Sequence, residues 1–231
     1  MVGEAVLHAP SARLRLMTAG MPNEPSGRPR HFTLLRALSL ADFVTLGNAG
    51  AGMGAILACM AYIEEPRTVY LWVAFGLLPI ALVLDVVDGL IARARARSSP
   101  YGADLDSLAD IVSFGVAPAV LGYTLGMRGG WDAVVLVYFV ICGISRLARF
   151  NVTAESLTTD KGKVSHFEGT PIPSSVLLVA LFAVALVFGA IHERLWLGEV
   201  SVGPFVLHPL VLVYALSGSA MIASTLKIPK P

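Results

Sequence analysis

Charged residues are scarce in this chain of 231 residues, at 14%, whereas hydrophobic residues make up 55%. That balance is too apolar for an ordinary soluble domain, and it predicts a compact domain that is surrounded largely by lipid. The net charge is only +1, so no overall basic field indicates a nucleic-acid partner. The sequence therefore favours an integral membrane protein whose partners include membrane lipids and no nucleic acid.

Cysteine is equally scarce, since the sequence contains only Cys59 and Cys142. Both lie in apolar segments, where a small buried hydrophobic side chain is more common than a disulfide or a metal ligand. The N-terminal region lacks the continuous apolar core of a signal peptide. We expect residues 1–30 to be a cytosolic, largely disordered tail and residues 31–39 to form a short interfacial helix.

Long apolar runs are abundant, and a helix needs about 20 mostly apolar residues to cross the hydrocarbon core. The pattern predicts an all-α polytopic membrane protein, with one membrane domain over residues 31–231 and six transmembrane helices separated by charged or turn-forming stretches. The predicted spans are residues 41–62, 69–92, 104–124, 131–149, 172–191 and 203–225. Pro118 is expected to kink the third span.

The distribution of positive charge predicts the orientation of these spans. An even number of spans puts both termini on one side, and 14 of the 17 lysines and arginines then fall on that side. Cytosolic loops carry such an excess. We therefore expect a cell-membrane protein whose two termini lie in the cytosol, together with the loops after the second and fourth spans.

Aspartates lie within or beside the second and third predicted spans, where a charged side chain costs a few kcal/mol. Asp85 and Asp88 are three residues apart, and Asp106 and Asp110 are four apart, so each pair projects from one face of a helix. Asp104 lies off that face and is expected to be exposed. Because the connection between the spans is short and basic, the spans should be antiparallel neighbours whose four carboxylates converge near headgroup depth.

Four converging carboxylates repel one another unless they are protonated or bind cations. An all-oxygen ligand set favours Mg²⁺ or Mn²⁺ over zinc. Two such ions could clamp a bridging phosphate, which indicates phosphoryl-type chemistry. Helix capping, or ion pairs with the nearby Arg93, Arg95 and Arg97, would account for one or two of the carboxylates but not for two matched pairs.

The stretch that carries these aspartates has fixed residues at fixed spacing. It reads Asp-Val-Val-Asp-Gly-Leu-Ile-Ala-Arg from Asp85, then eight residues, then Gly-Ala-Asp-Leu-Asp-Ser-Leu-Ala-Asp from Gly102. It resembles the full signature of the CDP-alcohol phosphatidyltransferase family. The resemblance implies a six-span homodimer that binds two Mg²⁺ or Mn²⁺ ions per site. It also implies three sets of residues, namely Asp85, Asp88, Asp106 and Asp110 as metal ligands, Asp110 as the catalytic base, and Gly89, Ala92, Arg93 and Gly102 at the cytidine nucleotide.

The start of the first span, Ala-Asp-Phe-Val-Thr-Leu-Gly-Asn from Ala41, resembles the family's first nucleotide-contacting segment. It has Ala41-Asp42 where many members have Pro-Asn, so the nucleotide contact is carried over to Thr45 and Asn48. Several glycines follow at close spacing. They are at least as well explained by close packing between helices as by ligand contact.

Within the family, three stretches resemble the phosphatidylserine synthase branch, namely residues 110–119, 146–151 and 167–173. The resemblance implies CDP-diacylglycerol and L-serine as substrates. The acceptor-binding residues that it implies are Arg146, Arg149, Asn151 and Gly169. An arginine there could hold the carboxylate of serine as a fork, although anchoring at the cytosolic interface would also explain either arginine.

The sequence is compatible with two alternatives. The acceptor could be glycerol 3-phosphate or inositol phosphate, because the metal motif is common to these reactions and Arg146, Arg149, Lys161 and Lys163 could bind a phosphorylated acceptor. From a different class, a cation transporter would also place aspartates inside its spans. Against a transporter, the four carboxylates lie near one face of the membrane and no inverted repeat is visible in the sequence.

Overall fold

Helices account for most of the described chain. The computed structural model describes residues 38–95, 101–159, 166–223 and 227–229. The α-helices are α1 (Leu40–Glu64), α2 (Thr68–Arg95), α3 (Gly102–Asp110), α4 (Ala117–Thr124), α5 (Gly130–Thr159), α6 (Val176–Val187) and α7 (Leu212–Ile222). A π-helical segment (Ile111–Val116) joins α3 to α4, and short 3₁₀ helices occupy Ile172–Ser175, His192–Arg194 and Pro209–Val211.

Four helical segments are long and apolar enough to cross a membrane, namely Leu40–Glu64, Thr68–Ala94, Gly102–Thr124 and Gly130–Val152. They coincide with the first four predicted spans. Two shorter apolar segments, Ile172–Val187 and Pro209–Ile222, fall at the fifth and sixth. The structure is therefore mainly helical, and it is consistent with the membrane protein that the sequence predicts. The predicted N-terminal tail and most of the predicted interfacial helix lie outside the described residues.

The predicted start of the sixth span, at residue 203, is wrong. The strand β2 (Val200–Val202) pairs antiparallel with β3 (Phe205–Leu207), and Gly203 in the turn between them has a φ of +62°. Helical structure begins only at Pro209, which has no N–H to donate and is tolerated in the first helical turn. Short apolar runs do not distinguish strand from helix, so the sequence pattern extended the span too far. A second pair joins β1 (His166–Glu168) to β4 (Lys227–Pro229).

The third span is not a single α-helix bent at Pro118. The π-helical segment ends one residue before Ala117, and Pro118 then lies in the first turn of α4. The Tyr214 hydroxyl of α7 donates a hydrogen bond of 2.8 Å to the Pro118 carbonyl. Tyr214 is fully buried and packs on Phe139 and Phe182. This aromatic cluster joins α5, α6 and α7 to the middle of the third span.

Helix α1 packs closely on the π-helical segment. The Ser113 hydroxyl donates a hydrogen bond of 2.9 Å to the Asn48 carbonyl. A methyl group placed on Gly52 would lie 2.4 Å from Ser113 Oγ and 2.7 Å from Ser113 Cα. Such distances are far inside van der Waals contact, so only glycine permits this approach of the two backbones. The packing explanation for the glycines therefore holds at Gly52.

We expect Gly52→Ala to destabilise the protein by about 1–3 kcal/mol, because the added methyl overpacks the contact with Ser113. Gly50→Ala is the matched control on the same helix, since among the described residues no atom lies within 4 Å of a methyl placed there. It should be neutral or slightly stabilising. Thermal unfolding in detergent measures both, and equal melting temperatures for the two variants would contradict the packing argument.

At the end of the bundle opposite to the aspartates, the β2–β3 hairpin is held against the start of α5. The Trp131 indole N–H donates a hydrogen bond of 2.9 Å to the Val202 carbonyl. The buried Asp132 carboxylate accepts hydrogen bonds of 2.8 Å from the backbone N–H groups of Gly129 and His208. It also contacts His208 Nδ1 at 2.5 Å. No motif in the sequence indicates this role for Asp132.

Candidate active site

The two aspartate pairs converge between α2 and α3. Asp85 and Asp88 lie on α2, and Asp106 lies on α3. One carboxylate oxygen from each of these three residues lies within 4.8 Å of the other two. Asp88 is buried, while Asp85 and Asp106 are half-buried. The i, i+3 spacing on α2 and the antiparallel return through α3 produce this convergence, as the sequence predicts. Asp104 is exposed, which confirms that it lies off the shared face.

Asp110 completes the cluster from the last turn of α3. Its carboxyl group lies beside that of Asp85 and interacts with it. Its Oδ1 atom is buried and has no hydrogen-bond partner within the described parts of the chain. The π-helical segment begins at the next residue, and π-helical turns occur frequently at functional sites. Asp110 therefore presents an unpaired carboxylate oxygen beside the other three aspartates.

This cluster fits a divalent cation. Carboxylates at such short separations repel one another unless a proton or a cation lies between them. The three grouped carboxylates and the free oxygen of Asp110 supply only oxygen ligands, which suit Mg²⁺ and Mn²⁺. A cation held by Asp85, Asp88 and Asp106 would remove the repulsion and leave Asp110 at the edge of the group.

A cavity of about 440 Å³ opens beside the aspartates. Six residues are predicted from the sequence to contact the nucleotide. Five of them line the cavity, whereas the sixth, Asn48, does not. The five are Thr45, Gly89, Ala92, Arg93 and Gly102. Among the described residues, a methyl placed on Gly89 would meet only the Arg93 guanidinium, at 3.8 Å. The cavity lining thus combines three carboxylates of the aspartate cluster with an arginine, which suits a diphosphate bound together with a metal ion.

Helix α1 contributes directly to the aspartate cluster. The Thr45 hydroxyl lies 2.6 Å from Asp88 Oδ2 and 3.1 Å from the Ala41 carbonyl, and its single proton can be donated to either. A donation to Asp88 fixes one carboxylate oxygen, so that the other can face the cation. The sequence does not reveal this contact, because 43 residues separate its partners.

Two other residues at the start of α1 are explained by the fold. Asp42 and Ser39 form a capping box, in which Ser39 Oγ accepts from the Asp42 N–H and the Asp42 carboxylate accepts from the Ser39 N–H. The Ser-x-x-Asp spacing could have revealed it. Both residues also line the cavity. The Asn48 side chain is fully buried, and neither of its amide atoms has a partner among the residues described.

The four residues assigned to the acceptor lie in different surroundings. Arg146, on α5, is half-buried and interacts electrostatically with Asp110. Arg149 is exposed. The Asn151 amide exchanges hydrogen bonds of 3.0 and 3.2 Å with the Ser107 hydroxyl of α3. The structure therefore brings Arg146 to the cluster, whereas it engages Asn151 in a contact between helices.

Gly169 is required by the backbone. Its φ is +76°, and a methyl placed on it would lie 2.3 Å from the Met221 carbonyl oxygen at the end of α7. Glycine alone fits that conformation and that approach. Gly169 does not line the cavity, so its neighbourhood supports a structural role.

Comparison with known proteins agrees with this geometry. A model of the family described as CDP-alcohol phosphatidyltransferase matches residues 38–218. The chain belongs to this family. Membership makes it a phosphotransferase, and family members depend in general on divalent metal ions. The family assignment also removes the transporter alternative.

Three curated relatives share the name CDP-diacylglycerol–serine O-phosphatidyltransferase. The protein from Saccharomyces cerevisiae is 40% identical over 87% of this chain and 74% of its own length. The Methanocaldococcus jannaschii protein is 33% identical over 65% of this chain and 63% of its own. The Mycobacterium leprae protein is 34% identical over 71% of this chain and 53% of its own. The aligned part of the transferase thus spans about half to three quarters of these relatives.

Proposed function

We propose that this chain transfers the phosphatidyl group of CDP-diacylglycerol to the hydroxyl of L-serine, giving phosphatidylserine and CMP. The observation that carries the proposal is the cavity that joins five predicted nucleotide residues to the aspartate cluster. The shared name of the three relatives supports serine as the acceptor. The cytidine diphosphate group of CDP-diacylglycerol would occupy the cavity. Arg93 would lie beside its phosphates, and the small residues Gly89 and Gly102 would leave room for it.

Asp85, Asp88 and Asp106 would hold two Mg²⁺ or Mn²⁺ ions, with Asp110 as the fourth and weakest ligand. When bound, the ions supply positive charge that stabilises the attacking and leaving oxygens of an in-line displacement at phosphorus. Thr45 would keep Asp88 oriented toward them. Metal coordination weakens a carboxylate as a base. The base should therefore be the ligand that has one oxygen atom not bound to metal.

Asp110 is the proposed base because its buried Oδ1 has no hydrogen-bond partner among the described residues and because it interacts with Arg146. Asp110 would take the proton of the serine hydroxyl as the oxygen attacks the phosphorus next to diacylglycerol. The bond from that phosphorus to the oxygen bridging to CMP breaks, and CMP leaves with the electron pair. Arg146 would bind the serine carboxylate and bring the hydroxyl to Asp110.

The membrane arrangement is part of the proposal. The shorter apolar segments Ile172–Val187 and Pro209–Ile222 would cross the bilayer as the fifth and sixth spans. In that arrangement 14 of the 17 lysines and arginines lie on one side of the membrane. Because cytosolic loops carry such an excess of positive charge, this distribution supports placing the aspartate cluster at the cytosolic face. There a lipid phosphate in the membrane and serine in water can meet. The homodimer implied by the family resemblance stays a prediction.

A phosphorylated acceptor is the second candidate, since Arg146 and the exposed Arg149 could bind a phosphate. Arg149 points less clearly to an acceptor than Arg146 does, because Arg149 is exposed whereas Arg146 is half-buried and interacts with Asp110. A guanidinium beside Asp110 suits the carboxylate of serine. The shared name of the relatives favours serine over glycerol 3-phosphate or inositol phosphate.

The test is CMP release by purified protein supplied with CDP-diacylglycerol, Mn²⁺ or Mg²⁺, and one acceptor at a time. We expect release with L-serine to be at least about tenfold faster than with glycerol 3-phosphate or inositol phosphate, as a charge-assisted hydrogen bond would provide. A reaction with the metal chelated by EDTA is the control and should release none. Equal or faster release with glycerol 3-phosphate would reject serine.

A further inference from the structure

Three elements meet beside Asp110, and none of them lines the nucleotide cavity. They are the π-helical segment, α5, and the 3₁₀ helix Ile172–Ser175. A methyl placed on Gly143 of α5 would lie 2.8 Å from Ile172 Cδ1 and 3.3 Å from Ile111 Cδ1. A methyl on Gly115 would lie 2.7 Å from Ile111 Cδ1 and 3.9 Å from Ile172 Cδ1. Ile172 is therefore buried at this junction, one residue along the chain from Pro171 and two from Thr170.

Thr170 and Arg146 leave the junction in the same direction. The chain reverses between α5 and the 3₁₀ helix, so later residues of α5 lie beside earlier residues of the returning segment. Arg146 is three residues past Gly143, about 4.5 Å along the helix. Thr170 is two residues before Ile172 through Pro171, whose φ of −65° and ψ of 145° are those of polyproline II, so Thr170 lies about 6 Å along the chain from Ile172. Asp110 directly precedes Ile111, and Arg146 interacts electrostatically with Asp110. Asp110, Arg146 and Thr170 therefore lie on the same side of the junction.

Each of these three residues has a buried polar atom without a partner. Asp110 Oδ1, Arg146 Nε and Thr170 Oγ1 have no hydrogen-bond partner anywhere in the described segments. Buried polar atoms are paired in the great majority of cases. The backbone of Thr170 is fixed, because its N–H donates a hydrogen bond of 3.1 Å to the Ala220 carbonyl. Its hydroxyl is thus held in place while remaining available to a ligand.

We infer that Thr170 is an acceptor-binding residue that recognises the ammonium group of the amino-alcohol acceptor, an inference that rests on the proposed function. The three unpaired groups match the three polar groups of serine. Asp110 accepts the proton of the hydroxyl, the Arg146 guanidinium donates to the carboxylate, and Thr170 Oγ1 accepts from the ammonium. Glycerol 3-phosphate has no ammonium group, so Thr170 contributes to the choice of acceptor.

The test removes the hydroxyl and keeps the shape. Thr170→Val should raise the KM for serine about 10- to 100-fold, the value of one hydrogen bond to a charged group. The KM for CDP-diacylglycerol and CMP binding should stay within about twofold of wild type. Thr170→Ser should restore the serine KM. Thr124→Val is the matched control, since Thr124 is a buried threonine at the opposite end of the bundle, bonded to the Val120 carbonyl.

3-Hydroxypropionate, which is serine without the ammonium group, provides the readout that a structural role would not change. Wild type should prefer serine over it by about tenfold or more, and Thr170→Val should lose that preference. An unchanged serine KM and preference in Thr170→Val, with wild type active on serine, would overturn the inference alone. Wild type inactive on serine but active on another acceptor would overturn the proposed function. If Thr170→Val does not fold, Thr170→Ala replaces it, and failure of both to fold would assign Thr170 to the fold and overturn the inference.

Discussion

Replacing Asp110 by asparagine is expected to lower the rate of CMP release about a thousandfold, because the amide cannot take the proton of the acceptor hydroxyl. The change keeps the shape of the side chain and should leave the protein folded. Nucleotide binding should persist, since the grouped carboxylates of Asp85, Asp88 and Asp106 remain. The loss should therefore appear in kcat, measured at saturating Mn²⁺, with the binding of CMP close to that of wild type.

Asp104→Asn is the control for this experiment. Asp104 lies on the same helix but is exposed and does not line the cavity. Its replacement removes the same charge from α3 without touching the cluster, so turnover should stay close to that of wild type. Turnover of Asp110→Asn near the wild-type rate would remove Asp110 from the role of base. A loss of CMP binding in Asp110→Asn would instead indicate that Asp110 acts mainly as a metal ligand.

The aspartate cluster could be predicted from the sequence because its geometry is local. Spacings of three and four residues place side chains on one face of a helix, and the short connection forces α2 and α3 to return side by side. The cavity residues Gly89, Ala92 and Arg93 follow from the same helix. None of these placements needs the position of a distant element, so the motif was sufficient.

Contacts between distant segments could not be predicted in this way. The bond from Thr45 to Asp88 and the approach of Gly52 to Ser113 depend on how α1 packs, which no local spacing encodes. Gly169 shows the same limit. Its place in a family-like stretch indicated the acceptor, whereas its φ and its approach to Met221 explain the glycine by packing.

The β2–β3 hairpin was missed for a related reason. Its residues are apolar and few, and they continue into an apolar helix, so hydropathy merges the two. The hairpin is separated from the helix by the turn at Gly203 and by the start of helical structure at Pro209. Residues of α5 and of the loop before it also contact the hairpin. These residues include Asp132, whose carboxylate carries the largest effect on stability that we expect in this protein.

Asp132→Ala should lower the free energy of unfolding by about 3 kcal/mol. Two backbone N–H groups, those of Gly129 and His208, would lose their acceptor in a place where the fully buried carboxylate now pairs with them. Each unpaired buried donor costs about 1–3 kcal/mol. Asp132 also lies in the first turn of α5, where negative charge stabilises the helix. Detachment of the hairpin should accompany the loss, seen as cleavage near Gly203 by added protease.

Glu199→Gln is the matched control, because Glu199 approaches the same histidine from the solvent side. Its carboxylate lies 3.8 Å from His208 Nε2, and its side chain is 70% exposed. Exposed ion pairs contribute little, so the variant should change stability by less than about 0.5 kcal/mol. Thermal unfolding in detergent compares the two. A melting temperature of Asp132→Ala equal to that of Glu199→Gln would mean that the hairpin is held by Trp131 and its apolar contacts, and not by the buried carboxylate.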